Sequence, residues 1–149
     1  MNDHFLFQAG EWLGQGVVKF TASCDVLHFR TRWLVGAGEG GLFHCTQTVE
    51  VTGGDRMVNN FEVIPHNGKN FDILFENEQL GSFLGNGLVQ EGLVAWEFRH
   101  KGSFEGYEVY NKVSGNDYSM HAEYLSNDMS RTMVQGRIWK KGTPQTEEK

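Results

Sequence analysis

Phe43-His44-Cys45-Thr46-Gln47-Thr48-Val49-Glu50-Val51, then Thr52-Gly53-Gly54-Asp55, then Met57 to Val63, is the stretch that decides how this chain folds. Before the glycines, Phe43, Cys45, Val49 and Val51 alternate with His44, Thr46, Thr48 and Glu50. After them, Met57, Phe61 and Val63 stand opposite Asn60 and Glu62. A strand sends successive side chains to opposite faces, so both runs have one apolar face and one polar face. Thr52-Gly53-Gly54-Asp55 supplies the positive φ that a tight hairpin turn requires. The stretch therefore predicts two antiparallel strands joined by a short turn.

The same period of two extends in both directions. Toward the N-terminus, Trp12, Gly14, Gly16, Val18 and Phe20 share a face, as do Leu27, Phe29 and Trp33. Val35 to Gly41 reads as a turn or a mobile connection. Toward the C-terminus, His66-Asn67-Gly68-Lys69 is a turn, followed by the face Phe71, Ile73 and Phe75. Leu80 to Leu88 is a strand broken by glycines, which suggests sharp bends or bulges at a barrel corner. Val94, Trp96 and Phe98 come next, then a strand from Phe104 to Asn111 whose facing is open. Tyr118, Met120, Ala122 and Tyr124 share a face, and a last strand runs from Arg131 to Lys140. The sole helical candidate is a short turn around Phe5 to Ala9. About ten strands in sequence with short connections form a meander. Closing it removes two raw edges. The expected fold is all-β: a closed antiparallel up-and-down β-barrel over residues 1–141, with a β-sandwich as the alternative. Residues 142–149 read as a polar tail.

Composition narrows the function classes. The chain has 149 residues, 39% hydrophobic and 21% charged, the profile of one globular domain. Its 19 Gly, 2 Pro and 13% aromatics suit turns and twisted strands. A formal net charge of −6 repels nucleic acid and acidic membranes. No apolar run approaches the roughly 20 residues of a membrane-spanning helix, and Met1-Asn2-Asp3-His4 lacks the basic start of a signal peptide. Cys24 and Cys45 show no metal-binding spacing. These features lead to the expectation of a cytoplasmic protein with reduced thiols, no metal and no cofactor.

A barrel of this size is wider than its side chains fill easily, so its interior commonly holds a small apolar or amphipathic molecule. The inward faces are rich in aromatic rings, including Trp12, Trp96, Tyr118 and Tyr124. Polar residues on inward faces are the informative ones. Gln47 shares a face with Cys45 and Val49, and Asn59 with Met57 and Phe61. In the last strand, Gln135, Arg137 and Trp139 lie on one face with Met133; Thr132, Val134, Gly136 and Ile138 lie on the other. With the first set inward, Arg137 becomes a buried cation that needs a carboxylate partner, from the protein or from a ligand. Glu108 is the internal candidate if Phe104, Gly106, Glu108 and Tyr110 face inward. Otherwise Arg137 only packs on Trp12 and closes one barrel end.

Two short motifs then bring a family into view. Gly10-Glu11-Trp12 resembles the G-x-W that opens the first strand in lipocalins and fatty-acid-binding proteins. Arg137-Ile138-Trp139 resembles the R-x-Y segment that closes intracellular fatty-acid-binding proteins, where the Arg and the aromatic hold the ligand carboxylate. The pair resembles the calycin superfamily, and the resemblance implies a ligand-binding barrel. Only Thr21 to Asp25 separate the first two strands, so the helical lid of fatty-acid-binding proteins is missing, and Trp139 stands where that family has tyrosine. Lidless ten-stranded relatives include nitrobindin-like haem proteins and bilin lyases. A haem would need an axial ligand, for which His121 is nearest, yet alternation turns His121 outward.

The leading expectation is thus an intracellular binding protein for a small apolar or amphipathic ligand, with an acidic head group if Arg137 faces in. An enzyme or tetrapyrrole-binding protein in the same cavity is the alternative, with Glu108, Glu97, Arg99 and His121 as candidate acid/base groups. A third reading is a protein-interaction barrel using outward charges at Arg30, Arg32, Glu97 and Arg99.

Overall fold

The structure, a computed structural model, describes residues 4–101, 103–125 and 130–143. Ten strands form one closed antiparallel barrel: β1 (Gly10–Phe20), β2 (Val26–Ala37), β3 (Phe43–Val51), β4 (Arg56–Pro65), β5 (Asn70–Asn77), β6 (Gly81–Gln90), β7 (Leu93–His100), β8 (Phe104–Ser114), β9 (Asp117–Leu125) and β10 (Arg131–Lys140). Each strand pairs with its sequence neighbour, and β10 pairs with β1 to close the ring. The up-and-down barrel holds and the sandwich does not. From 144 onward the proposed tail lies outside the described residues.

The expected hairpin around Gly53 and Gly54 is present. Cys45 pairs with Phe61, Gln47 with Asn59 and Val49 with Met57. Gly53 and Gly54 adopt φ of 110° and 105°, the left-handed region that a Cβ disfavours. At the closing seam, Gly16 pairs with Gly136. A Cβ at Gly16 would lie 2.2 Å from the Gln135 carbonyl oxygen, so only a bare backbone allows β1 and β10 to approach this closely.

Two local expectations need correction. Val35 to Gly41 is not all turn: β2 continues through Ala37, because Val35 pairs with both Gly10 and Cys45 and is buried. The glycines of β6 introduce no bulge against β5, which pairs with it continuously from Asn70–Leu88 to Asn77–Gly81. They make room for rings instead: a Cβ at Gly87 would lie 2.1 Å from the Phe71 ring. The ladder from β6 to β7 ends at Asn86–Glu97, beside Gly85. The register shift occurs in β8, between Lys112 and Ser114.

The interior divides into two halves along the barrel axis. One half is filled. A single 3-10 turn, Phe5–Phe7, enters that end with all three side chains buried. Phe5 contacts Trp12, Trp33, Tyr110 and Tyr118 at ring-centroid distances of 4.9–5.8 Å, and Phe7 meets Phe43 and Phe71 edge-on. The Phe5 amide donates to the Tyr118 hydroxyl at 3.1 Å, and the His4 ring bonds the Gln90 carbonyl at 2.9 Å. The turn is therefore a stopper held by rings on its sides and hydrogen bonds on its backbone.

Candidate functional site

The other half of the barrel is hollow. Its cavity has a volume of about 390 Å³, within the ordinary range for small-molecule sites. The walls come from the ends of strands that meet at the turns after β1, β3, β5 and β7. Phe20, Phe29, Val49, Phe75, Phe98 and Phe104 give it an apolar lining, with Met120, Ala122, Thr132 and Val134 on the β9–β10 side. The cavity reaches the surface, since Met57 and Leu80 line it and are 40% and 46% exposed. Larger concavities lie on the outside, one of about 670 Å³ across β1, β2 and β3. That groove lies on the outer face, where polar side chains such as Gln15, His28, Arg30 and Glu50 line it beside Val17 and Val51.

Two polar groups interrupt the apolar wall. In the first, the Asn59 amide donates to Gln47 Oε1 at 3.0 Å, and the Asn77 amide donates to Asn59 Oδ1 at 2.7 Å. Asn77 Oδ1 in turn accepts from the backbone amides of Gln79 and Leu80 at 2.7 and 3.1 Å. The chain of carboxamides thus ties β3, β4 and β5 to the turn that carries Leu80. Period two places Asn77 on the face of Phe71, Ile73 and Phe75, so the alternation along β5 already marks it as inward.

The second group surrounds Glu108, which is 7% exposed. The Tyr110 hydroxyl donates to Oε1 at 2.8 Å, and the Tyr124 hydroxyl donates to Oε2. Burial pushes the Glu108 carboxyl above the usual carboxylate range, and the two hydroxyls oppose that shift. Burial first, then the nearby Glu108 charge, holds both phenols well above the usual tyrosine range. No lysine, arginine or histidine stands among the described residues that line the cavity.

The structure distributes the expected site residues among three places. Gln47, Asn59, Glu108 and Tyr124 meet at the cavity. Trp12 and Tyr118 belong to the filled half, packed on Phe5. Trp96 lies between the halves, stacked on Tyr110 with ring centroids 5.2 Å apart and paired across strands with Glu108.

Gln135, Arg137 and Trp139 are outside the barrel, and the inward reading of Arg137 is corrected. Residues directly opposite on paired strands share a face. Val134 faces Ala122, Gly136 faces Met120 and Ile138 faces Tyr118, so β10 turns Thr132, Val134, Gly136 and Ile138 inward. A one-residue change of parity exchanges the whole set. On the outer surface the Arg137 guanidinium lies over the Trp139 ring, 5.1 Å from its centroid, and reaches Asp117 at 3.5 Å.

The other candidate acid/base groups are outside as well. Arg99 pairs with Glu97 at 3.0 Å, and His121 bonds Glu123 at 3.2 Å. Glu123 also takes Tyr107 at 2.7 Å and Arg131 at 3.0 Å; with the Tyr107 hydroxyl as the largest influence, its carboxyl is held below the usual range. Cys45 is buried in the core and free, and burial pushes its thiol up to about 12, the opposite of what a nucleophile needs. Among the described residues no group of three or more His, Cys, Asp or Glu gathers to hold a metal ion.

No protein-family model and no curated protein sequence matches the chain. Solved structures do match its fold. An S-type phycobiliprotein lyase, CPES from Guillardia theta, aligns with a TM-score of 0.70 and 6% identity, over 92% of this chain and 90% of that one. Rv2717c from M. tuberculosis aligns with a TM-score of 0.71 and 10% identity, over 89% and 92%. EF1p2_mFAP2b, solved bound to DFHBI, aligns with a TM-score of 0.52 and 9% identity, over 89% and 93%. The likeness is one of fold: a closed ten-stranded antiparallel β-barrel.

Proposed function

We propose that this chain is a binding protein that holds a small, largely apolar molecule in the hollow half of its barrel. The observation that carries the reading is the division of the interior. One end is stoppered by Phe5–Phe7 and packed with rings, whereas the other keeps about 390 Å³ open to the surface at Met57 and Leu80. Folding had the means to fill that space with larger side chains at Ala122, Val134 or Val49. A void that forfeits those contacts is costly unless something occupies it.

The comparisons support the reading at the level of fold. One similar structure was solved with a small molecule, DFHBI, bound, and another is a phycobiliprotein lyase. A tetrapyrrole guest is the second reading, supported by the lyase alone. With His121 on the outside, its haem form has no ligand from that residue. Arg137 gives no help to an acidic head group, because it lies on the outer surface. Free Cys24 and Cys45 fit a reducing compartment such as the cytoplasm, and the net charge of −6 speaks against a nucleic-acid partner. No helix among the described residues is long and apolar enough to cross a membrane. The binding unit in this reading is residues 1–141.

Titration with N-phenylnaphthylamine, a neutral apolar fluorophore, tests the proposal. Wild-type protein should bind one molecule saturably, with Kd on the order of micromolar. Ala122→Phe places a ring inside the cavity and should weaken binding at least about tenfold while the barrel stays folded. Equal affinity in both proteins, or no saturable binding in the wild type, would overturn the reading.

A further inference from the structure

Within the cavity, an apolar guest alone leaves one group unanswered. The Glu108 carboxyl is buried in the wall, oriented by hydroxyls of Tyr110 and Tyr124 that donate to its two oxygens. Those donors are neutral. Among the described residues no cation lines the cavity and no ion pair reaches Glu108. A buried carboxylate without a countercharge is costly, and each of its oxygens retains a further lone-pair direction for another donor.

The surroundings favour one kind of donor. Tyr124 stacks on Phe104 at 5.7 Å, and Phe104 contacts Phe75 and Phe98 at 5.2 Å each. Aromatic rings in a wall attract positive charge wherever a face of theirs meets the ligand. An anion here would meet a carboxylate with no cation to screen it. A plain hydrocarbon would bury the carboxyl without matching it.

Resting on the binding reading above, we propose that Glu108 is the polar anchor of the cavity and selects an apolar ligand carrying a protonated nitrogen. The ammonium or iminium N–H donates to the carboxylate in a charge-assisted hydrogen bond. Tyr110 and Tyr124 position the carboxylate, and the apolar body of the ligand lies against Phe75, Phe98 and Phe104.

Three probes of similar shape separate the possibilities: naphthylmethylamine, a cation; naphthylmethanol, neutral; and naphthoate, an anion. By isothermal titration calorimetry, the wild type should bind the amine at least about tenfold more tightly than the alcohol, and the naphthoate most weakly. Glu108→Gln should erase the preference for the amine while leaving the alcohol within about threefold of wild type. Arg137→Ala, on the outer surface away from the cavity, should keep the wild-type ranking of the three probes. The wild-type ranking stands as a test even if Glu108→Gln fails to fold. Equal binding of amine and alcohol, or preference for the naphthoate, would overturn the anchor and leave the cavity reading intact. No binding of any of the three would remove both.

Discussion

Glu108 is a carboxyl that folding takes out of water, and that has a consequence for stability. Its pKa is raised in the folded state, chiefly by burial. A group raised on folding contributes stability that is fully present below its unfolded pKa and is lost as pH rises through its folded pKa. The stability of the wild type relative to Glu108→Gln should therefore decline as pH rises above the usual carboxylate range, read as denaturation midpoints across a pH series. Glu11 and Glu123 act in the opposite sense. Arg32 lowers Glu11, and Tyr107 lowers Glu123 before His121 and Arg131 do. Their contribution fades as pH falls and cancels in the comparison. A wild-type midpoint that rises relative to that of Glu108→Gln as pH rises would contradict the assigned environment of Glu108. Arg137 offers a contrasting case: its partners lie on a partly exposed outer face, so Arg137→Ala should cost no more than ~1 kcal/mol in denaturant unfolding and should leave fluorophore binding unchanged. The thiols report the same inside–outside division. Cys24 is exposed and Cys45 buried, so a thiol reagent should modify one cysteine in native protein and the second only on unfolding. The sequence groups Glu108 with Phe104, Gly106 and Tyr110 by parity but leaves their facing open; pairing with β7 and β9 turns the set inward. The facing of Arg137 was open in the sequence because both faces of β10 carry apolar residues. Neither hydrophobicity nor spacing along β10 itself decides between Ile138 and Trp139; the pairing with β9 does.

At the scale of elements, the Phe5–Phe7 turn has the largest effect for its size. Phe5 touches four rings drawn from β1, β2, β8 and β9, so it joins strands that are distant around the barrel. Phe5→Ala should destabilise the protein by about 3–5 kcal/mol, the usual result of truncating a buried phenylalanine, measured by urea unfolding. A loss below about 1 kcal/mol would show that the stopper is not part of the cooperative fold. The strands themselves were readable because one face of each packs inward and the other meets water, which imposes strict alternation. The stopper was readable only as a short turn of unknown purpose. Three residues carry no period, and their role comes from rings that are far away in sequence. Likewise the β1–β10 seam depends on Gly16 opposite Gly136, a juxtaposition that closure creates. The glycine-rich β6 misled for a related reason. Gly85 and Gly87 leave room for the Phe98 and Phe71 rings of neighbouring strands, and the β5–β6 ladder runs on without a bulge.

The whole molecule is a ring of antiparallel neighbours with a filled half and a hollow half. Strand count and closure follow from short connections and from the cost of exposed edges, and were readable in the chain. The boundary between the halves was not. It depends on which inward residues are large at a given height, and strand register sets that height. Phe61, Trp33 and Trp96 pack together on one side of it. On the other side, Ala122, Val49 and Val134 leave space. A guest in that space stabilises the folded state by mass action. Saturating naphthylmethylamine should therefore raise the thermal midpoint of the wild type and not that of Ala122→Phe. The most direct measurement of the cavity is an amide NMR titration with N-phenylnaphthylamine. The expected result is a set of shift changes centred on Val49, Met57, Phe98 and Ala122, with Trp12 and Tyr118 in the stoppered half unmoved. Changes centred on the outer groove at Gln15, Arg30 and Glu50, or no changes at saturating fluorophore, would contradict a ligand site inside the barrel.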